Sequence, residues 1–387
     1  MFLARLRRAG EYPVFLVKFA RLFFRPPRFE GTRLTPKRLW NLYKLRWAQN
    51  RCRTVLRSYP AKLTLEPTSV CNLECPACFT GSGEVGRARS PISLDLYRRL
   101  LAELGDYLLQ VEFFNWGEPL LAKHIMTMVH EASTRGISTV ISTNFSFPFD
   151  ANRAEQLVRA GLAVLGVSID GAHQEVYAQY RVGGNLATVL RNCALVLEAR
   201  RRLGSSTPRL VWEYHVFPHN TGDIEAARAK AAELGMDFAL SKGWVIGPDW
   251  DPEGRWAYPE PVLPFPCTSL WHSLTVNNDG GVSPCCGTFY REDDVAQLPT
   301  GAGTDGPTVL EVWNSPRFQA ARRLYRDGTG RPEDRHLVCH DCPQTVEWER
   351  YKAHLATGAW RQAYRPSIGG NARYNYFWNR RPGLTRR

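Results

Sequence analysis

Three cysteines, Cys71, Cys75 and Cys78, stand in the spacing C-x3-C-x2-C within LTLEPTSVCNLECPACFTG. Thiolates are soft ligands for iron and zinc, and three grouped this tightly can hold three irons of a 4Fe-4S cluster. No fourth cysteine lies nearby, so one iron would stay open to an outside ligand, which suggests chemistry rather than electron storage. The competing reading is a zinc knuckle, but zinc sites usually pair C-x2-C with a second pair of ligands, and this triplet has no local partner. A second group, Cys267, Cys285, Cys339 and Cys342, reads C-x17-C followed by C-x2-C. Four thiolates fill every iron of one cluster, or all four positions of a structural zinc. Cys286 adjoins this group without being needed by it, as a spare ligand, a buried thiol or a hydrogen-atom donor. Cys193 lies at helical spacing with Leu190 and Leu197, which suits core packing, and Cys52 carries no assignment.

The elements that must position these thiols follow an alternating pattern. Strand-like runs at 63–65, 111–114, 139–142, 164–169, 210–217 and 238–240 are interleaved with helical runs at 94–104, 125–134, 154–160, 186–202 and 224–234. Short apolar strands separated by helices predict an α/β fold with parallel pairing and right-handed crossovers. In such barrels chemistry sits at the C-terminal ends of the strands, and the cysteine triplet follows the first strand as required. In the fifth strand Glu213 and His215 share one face while Trp212 and Tyr214 share the other. A charged pair turned inward is expensive without a ligand, which makes Glu213 and His215 candidate substrate contacts; the alternative is an outward, solvated pair. Beyond about residue 245 the alternation stops, and a Pro/Gly/Trp-rich stretch leads to the second cysteine group.

A chain of 387 residues with 44% apolar and 12% aromatic residues is long enough for one large domain and a smaller one. No run has the uninterrupted apolar length of a membrane span, and no N-terminal stretch carries a small-residue cleavage signal. Ten cysteines at cluster-like spacings point to a reducing cytoplasm rather than a disulfide scaffold. The net charge of +13 belongs to the ends: residues 1–60 hold 15 Lys/Arg against 2 Asp/Glu, and residues 361–387 hold 7 arginines and no acid. In the N-terminal piece Phe15, Leu16, Phe19, Leu22 and Phe23 can share a helical face beside Lys18, Arg21 and Arg25. Such a segment could lie on an anionic membrane surface, or pack on the body with its arginines in water. No nucleic acid is expected, since no binding motif accompanies the charge. The chain therefore divides into a basic amphipathic extension (1–60), a barrel (61–245), a second cysteine domain (246–350) and a basic aromatic tail (351–387).

With its cysteine triplet, the chain resembles the radical S-adenosylmethionine (SAM) superfamily. The resemblance implies an α/β fold, a partial (β/α)6 barrel followed by a small C-terminal auxiliary-cluster domain. It also implies that SAM chelates the open iron and is cleaved reductively to a 5'-deoxyadenosyl radical that abstracts a substrate hydrogen atom. The residue before the third cysteine, often aromatic in that family, is Ala77 here, with Phe79 following instead. Asn115-Trp116-Gly117-Glu118-Pro119 is similar to the family's GGEP turn with Trp116 at the first glycine. Gly117 would let the backbone approach closely and Glu118 would accept the methionine ammonium. Ser168-Ile169-Asp170-Gly171 followed by Arg181-Val182-Gly183 resembles the S-x-D-G and R-x-G pair in which the serine and arginine hold the SAM carboxylate; a guanidinium grips a carboxylate with two bonds. Thr143-Asn144 resembles the family's T-N-G with Phe145 in place of glycine, which implies a pocket-lining Asn144. The second cysteine group resembles the SPASM/twitch auxiliary domain, and with no cysteine after Cys342 it implies one auxiliary 4Fe-4S cluster.

The function implied is dehydrogenation or epimerisation of a sugar or other small polar molecule, with electrons from a donor such as flavodoxin or ferredoxin. Peptide maturation is the alternative within the family. A non-catalytic zinc or iron-sulfur protein is the alternative outside it, and the SAM-pocket residues argue against that.

Overall fold

The structure, a computed structural model, describes residues 29–243, 265–301 and 306–357. The amphipathic run around Phe15 to Arg25 and nearly all of the basic tail lie outside the described residues.

Six parallel strands, β1 (Lys62–Leu65), β2 (Gln110–Phe113), β3 (Ser138–Thr143), β4 (Val164–Ser168), β5 (Arg209–Val216) and β6 (Asp237–Lys242), stand side by side in chain order. The helices between them are Leu94–Leu104, Ile125–Ser133, Ala151–Arg159, Leu186–Arg202 and Ile224–Leu234, with a further short helix at Gln174–Tyr180. Their starts are set by local chemistry: Ser93, Asp150 and Asn185 turn side-chain oxygens back onto the amides of Leu96, Arg153 and Thr188. Outward-facing strand residues such as Val111, Phe113, Leu165, Trp212 and Tyr214 are buried against those helices. The inward residues are polar or small, which leaves an interior cavity.

The sheet does not end at β1. A seventh strand, β7 (Ser273–Val276), pairs with β1 in parallel, Thr64 opposite Thr275, and carries two short antiparallel strands, β8 (Gly281–Ser283) and β9 (Ala296–Gln297). Among the described residues the result is one nine-stranded sheet in the order β6-β5-β4-β3-β2-β1-β7-β8-β9, open rather than closed. The segment bearing the second cysteine group is thus seated on the edge of the barrel sheet. Arg87 ties the two together from the cysteine-loop side: it is buried and grips Asp294 with two hydrogen bonds of 2.6 and 2.7 Å, with Asp279 at 3.2 Å.

Part of the basic N-terminal stretch is structural. The helix Pro36–Asn50 buries Leu42, Leu45 and Ala48, and Arg38 inside it donates to the carbonyls of Arg33, Gly105, Arg135 and Gly136. No helix among the described residues is long and apolar enough to cross a membrane.

Candidate active site

A cavity of about 600 Å³ opens at the C-terminal ends of the parallel strands, a size ordinary for small-molecule sites. Cys71, Cys75 and Cys78 line it, on the loop that leaves β1. The three thiols are close enough to raise one another's proton affinity, and burial pushes Cys71 and Cys75 up to about 11. Arg181 Nη1 lies 3.9 Å from Cys75 Sγ and the Asn144 amide 3.6 Å from Cys71 Sγ. Buried thiolates need a cation to exist, and one guanidinium is not enough for three; iron ions would supply the rest. The donor set therefore fits a cluster.

The GEP turn is pressed against this loop. A Cβ on Gly117 would collide with the Thr68 carbonyl, so only glycine fits. Glu118 is buried beneath it, where its carboxylate accepts from Thr143 Oγ1 (2.7 Å) and from the amides of Asn144 (2.8 Å) and Leu120 (3.0 Å). Burial nonetheless pushes Glu118 up to about 7, a carboxyl that an arriving ammonium would ionise. Trp116, in the place of the family's glycine, inserts its indole among Phe79, Phe289 and Tyr290. Phe79 stacks on Phe289 at 5.1 Å and Trp116 Nε1 donates to the Thr288 carbonyl. The two departures at Trp116 and Phe79 are thus one feature, an aromatic cluster joining the first cysteine loop to the segment after Cys286. Phe145, where the family has glycine, holds the left-handed conformation (φ 52°) that favours glycine.

Across the cavity, Arg181 Nε donates to Asp170 Oδ2 at 2.6 Å, and His215 lies on the other carboxylate oxygen through its backbone amide (2.7 Å) and Nδ1 (3.0 Å). Burial alone would raise Asp170, but Arg181 and then His215 outweigh it and hold the carboxyl below its ordinary range. Asp170 is fully buried and does not line the cavity, whereas Ser168, Arg181 and His215 do. Both Asp170 oxygens accept from the residues it orients, Arg181 and His215. Glu213 faces inward on β5 with His215, while Trp212 and Tyr214 face the helices. Cys286 is exposed and lines the same cavity. Cys193 is buried in the core.

The second group also converges. Cys285, Cys339 and Cys342 pack about Val338, and Tyr325 lies near Cys267, Cys339 and Cys342, its hydroxyl accepting from Thr345 (2.9 Å). Tyr325 gave no sequence signal, since a single tyrosine in an amphipathic helix (Pro316–Asp327) reads as core. Glu66 does carry a signal in the sequence, a carboxylate ending an apolar strand beside a cysteine loop. It is buried and accepts from the amides of Trp116 (3.3 Å) and Asn278 (3.2 Å), so it links the loop, the GEP turn and the C-terminal segment.

Burial pushes Glu66 up to about 7 from an ordinary 4.5. The folded carboxyl therefore binds its proton more tightly than the unfolded one, and stability falls as pH rises through that window. Glu66→Gln, which cannot ionise, should flatten a slope on the order of 3 kcal/mol while losing about one hydrogen bond. Unfolding midpoints at about pH 5 and about pH 8 check this. An unchanged slope would remove Glu66 from the titration.

Comparisons with known proteins identify the family. A family profile for the radical SAM superfamily matches residues 65–225, and one described as an iron-sulfur cluster-binding domain, SPASM, matches residues 267–343. The chain is 34% identical over 318 residues to the PqqA peptide cyclase of Rhodopseudomonas palustris, covering 70% of this chain and 77% of that one. It is 30% identical over 107 residues to the Fe-coproporphyrin III synthase of Methanosarcina barkeri, and spans only 26% of that relative's length. The crystal structure of Streptococcus suis SuiB superposes with a TM-score of 0.53 over 82% of this chain and 79% of that one, at 15% identity, a likeness of fold.

Proposed function

We propose, since this chain belongs to the radical SAM superfamily and carries a SPASM iron-sulfur domain behind its barrel, that it is a peptide-modifying radical SAM enzyme. The alignment with PqqA peptide cyclase carries this reading, because at 77% of that relative's length it is too long to be confined to the barrel. The expectation of a sugar or other small polar substrate gives way to it.

Bound at the first cysteine loop, SAM and its 4Fe-4S cluster supply hydrogen-atom abstraction. In this reading Cys71, Cys75 and Cys78 hold that cluster, and Arg181, with Ser168, takes the SAM carboxylate. Asp170 fixes the direction of the Arg181 fork and of the His215 ring. Glu118 takes the ammonium, Gly117 gives the room, and Asn144 donates to Cys71. Cys267, Cys285, Cys339 and Cys342 hold the auxiliary cluster, with Tyr325 beside it.

Anaerobic turnover with SAM, reduced flavodoxin and a library of synthetic peptides tests the reading. A peptide product that has lost two hydrogen atoms, formed together with 5'-deoxyadenosine, is the expected result. Formation of 5'-deoxyadenosine prompted by a carbohydrate and by no peptide would overturn it.

Cys286 favours a second reading of the same site. A thiol that lines the cavity can return a hydrogen atom to the opposite face of a substrate carbon, which is epimerisation. Turnover in deuterated water would then place deuterium in the product, and Cys286→Ala would still cleave SAM without forming the epimer. Full activity in Cys286→Ala would take the thiol out of the chemistry.

A further inference from the structure

The cavity continues below the cysteine loop into the lumen of the sheet, and its lower wall carries two carboxylates of different status. Glu112 on β2 is already satisfied: Lys62 Nζ lies 2.6 Å from one oxygen and Thr64 Oγ1 donates to the other at 3.2 Å. Glu213 on β5 is not. Among the described residues its carboxylate accepts only from Ser142 Oγ, at 2.8 Å, and no cationic side chain bridges to it. The neighbouring strand makes room for it: a Cβ on Gly166 would collide with the Glu213 carboxylate. A half-buried carboxylate held in a glycine cradle, with one neutral donor and no counter-ion, is poised for a cation.

We infer that Glu213 is the specificity anchor for the substrate, pairing with the ammonium or guanidinium of a lysine or arginine side chain that enters the lumen. The inference rests on the peptide reading for the identity of that side chain, while the preference for a cation rests on Glu213 alone. Acidic side chains at that position are excluded by the same charge.

Calorimetric titration of the anaerobic, SAM-loaded holoenzyme tests it with n-butylammonium, n-butylguanidinium and n-butanol as probes. The cations should bind about tenfold or more tighter than the alcohol, and Glu213→Gln should erase the difference. Gly166→Ala, which keeps the carboxylate but displaces it, should reduce the difference as well. Equal binding of cation and alcohol would overturn the inference, as would a Glu213→Gln variant that weakens SAM binding and leaves the cation preference intact; that outcome would assign the carboxylate to SAM itself. If the cations bind through Glu213 and no peptide is ever modified, the anchor stands and the peptide reading fails. If peptides are modified without regard to lysine or arginine, the anchor fails and the peptide reading stands.

Discussion

Alanine at Cys71, Cys75 and Cys78 together is expected to reduce SAM cleavage to background while the iron of the C-terminal group stays bound. The two cysteine groups differ in a way that makes the experiment decisive. The triplet supplies three thiolates, which leaves one iron position open, whereas Cys267, Cys285, Cys339 and Cys342 fill all four. They also come from different segments, the triplet from the loop after β1 and the other four from Cys267 before β7, Cys285 after β8, and Cys339 and Cys342 just before the last helix, Pro343–Ala356. Loss of one should not unfold the other. Iron analysis of the triple variant should show about half the iron of the parent, with no 5'-deoxyadenosine formed under reducing conditions. Retained 5'-deoxyadenosine would mean that the open iron lies elsewhere.

Arg181→Ala should have the second largest effect, and it should act twice. Losing a charge-assisted bond to the SAM carboxylate weakens SAM binding by about 1.5–3 kcal/mol, roughly tenfold to a hundredfold or more. The same change leaves Asp170, 0% exposed, without the guanidinium 2.6 Å away. Breaking a buried pair from one side costs about 3–5 kcal/mol because the remaining charge is uncompensated. Asp170 sits below its ordinary proton affinity in the folded state. The pair's stabilisation is therefore present above the unfolded value of about 3.9 and disappears as pH falls through the lowered folded one. The double variant Asp170→Asn with Arg181→Ala separates the two effects: the unfolding midpoint should recover much of its loss, and SAM affinity should not. Unchanged SAM affinity in Arg181→Ala would return the arginine to a purely structural role.

Much of the barrel was legible because its signals are local. Alternating apolar runs gave the six strands to within two residues at each end, and helices at Leu94–Leu104, Leu186–Arg202 and Ile224–Leu234 fall where the pattern places them. The parallel pairing of β7 with β1 was not legible. Its partners lie some two hundred residues apart, and a four-residue strand such as Ser273–Val276 carries no mark of which edge it will join. The site divides in the same way. Gly117 and Arg181 could be read from motifs, because each does its work through a property of the residue type. That Asp170 holds both Arg181 and His215 is a choice made by strand register and invisible in the motif. Trp116 was visible as a departure, yet its meaning depends on Phe79, Phe289 and Tyr290 arriving from two other segments. Glu213 and His215 were placed on one face by period two; that the face is the lumen, and that Gly166 clears space there, needed the fold.

Whether a peptide reacts at the first cysteine loop is open to one direct measurement. The anaerobic enzyme, with both clusters reconstituted, is given SAM, a reductant and the synthetic peptide library, and modified peptide and 5'-deoxyadenosine are quantified in the same samples by mass spectrometry. The two should rise together, in about equal amounts, and both should vanish in the Cys71, Cys75 and Cys78 variant. Abundant 5'-deoxyadenosine with every peptide unchanged, or a modified peptide in the triple variant, would contradict that expectation.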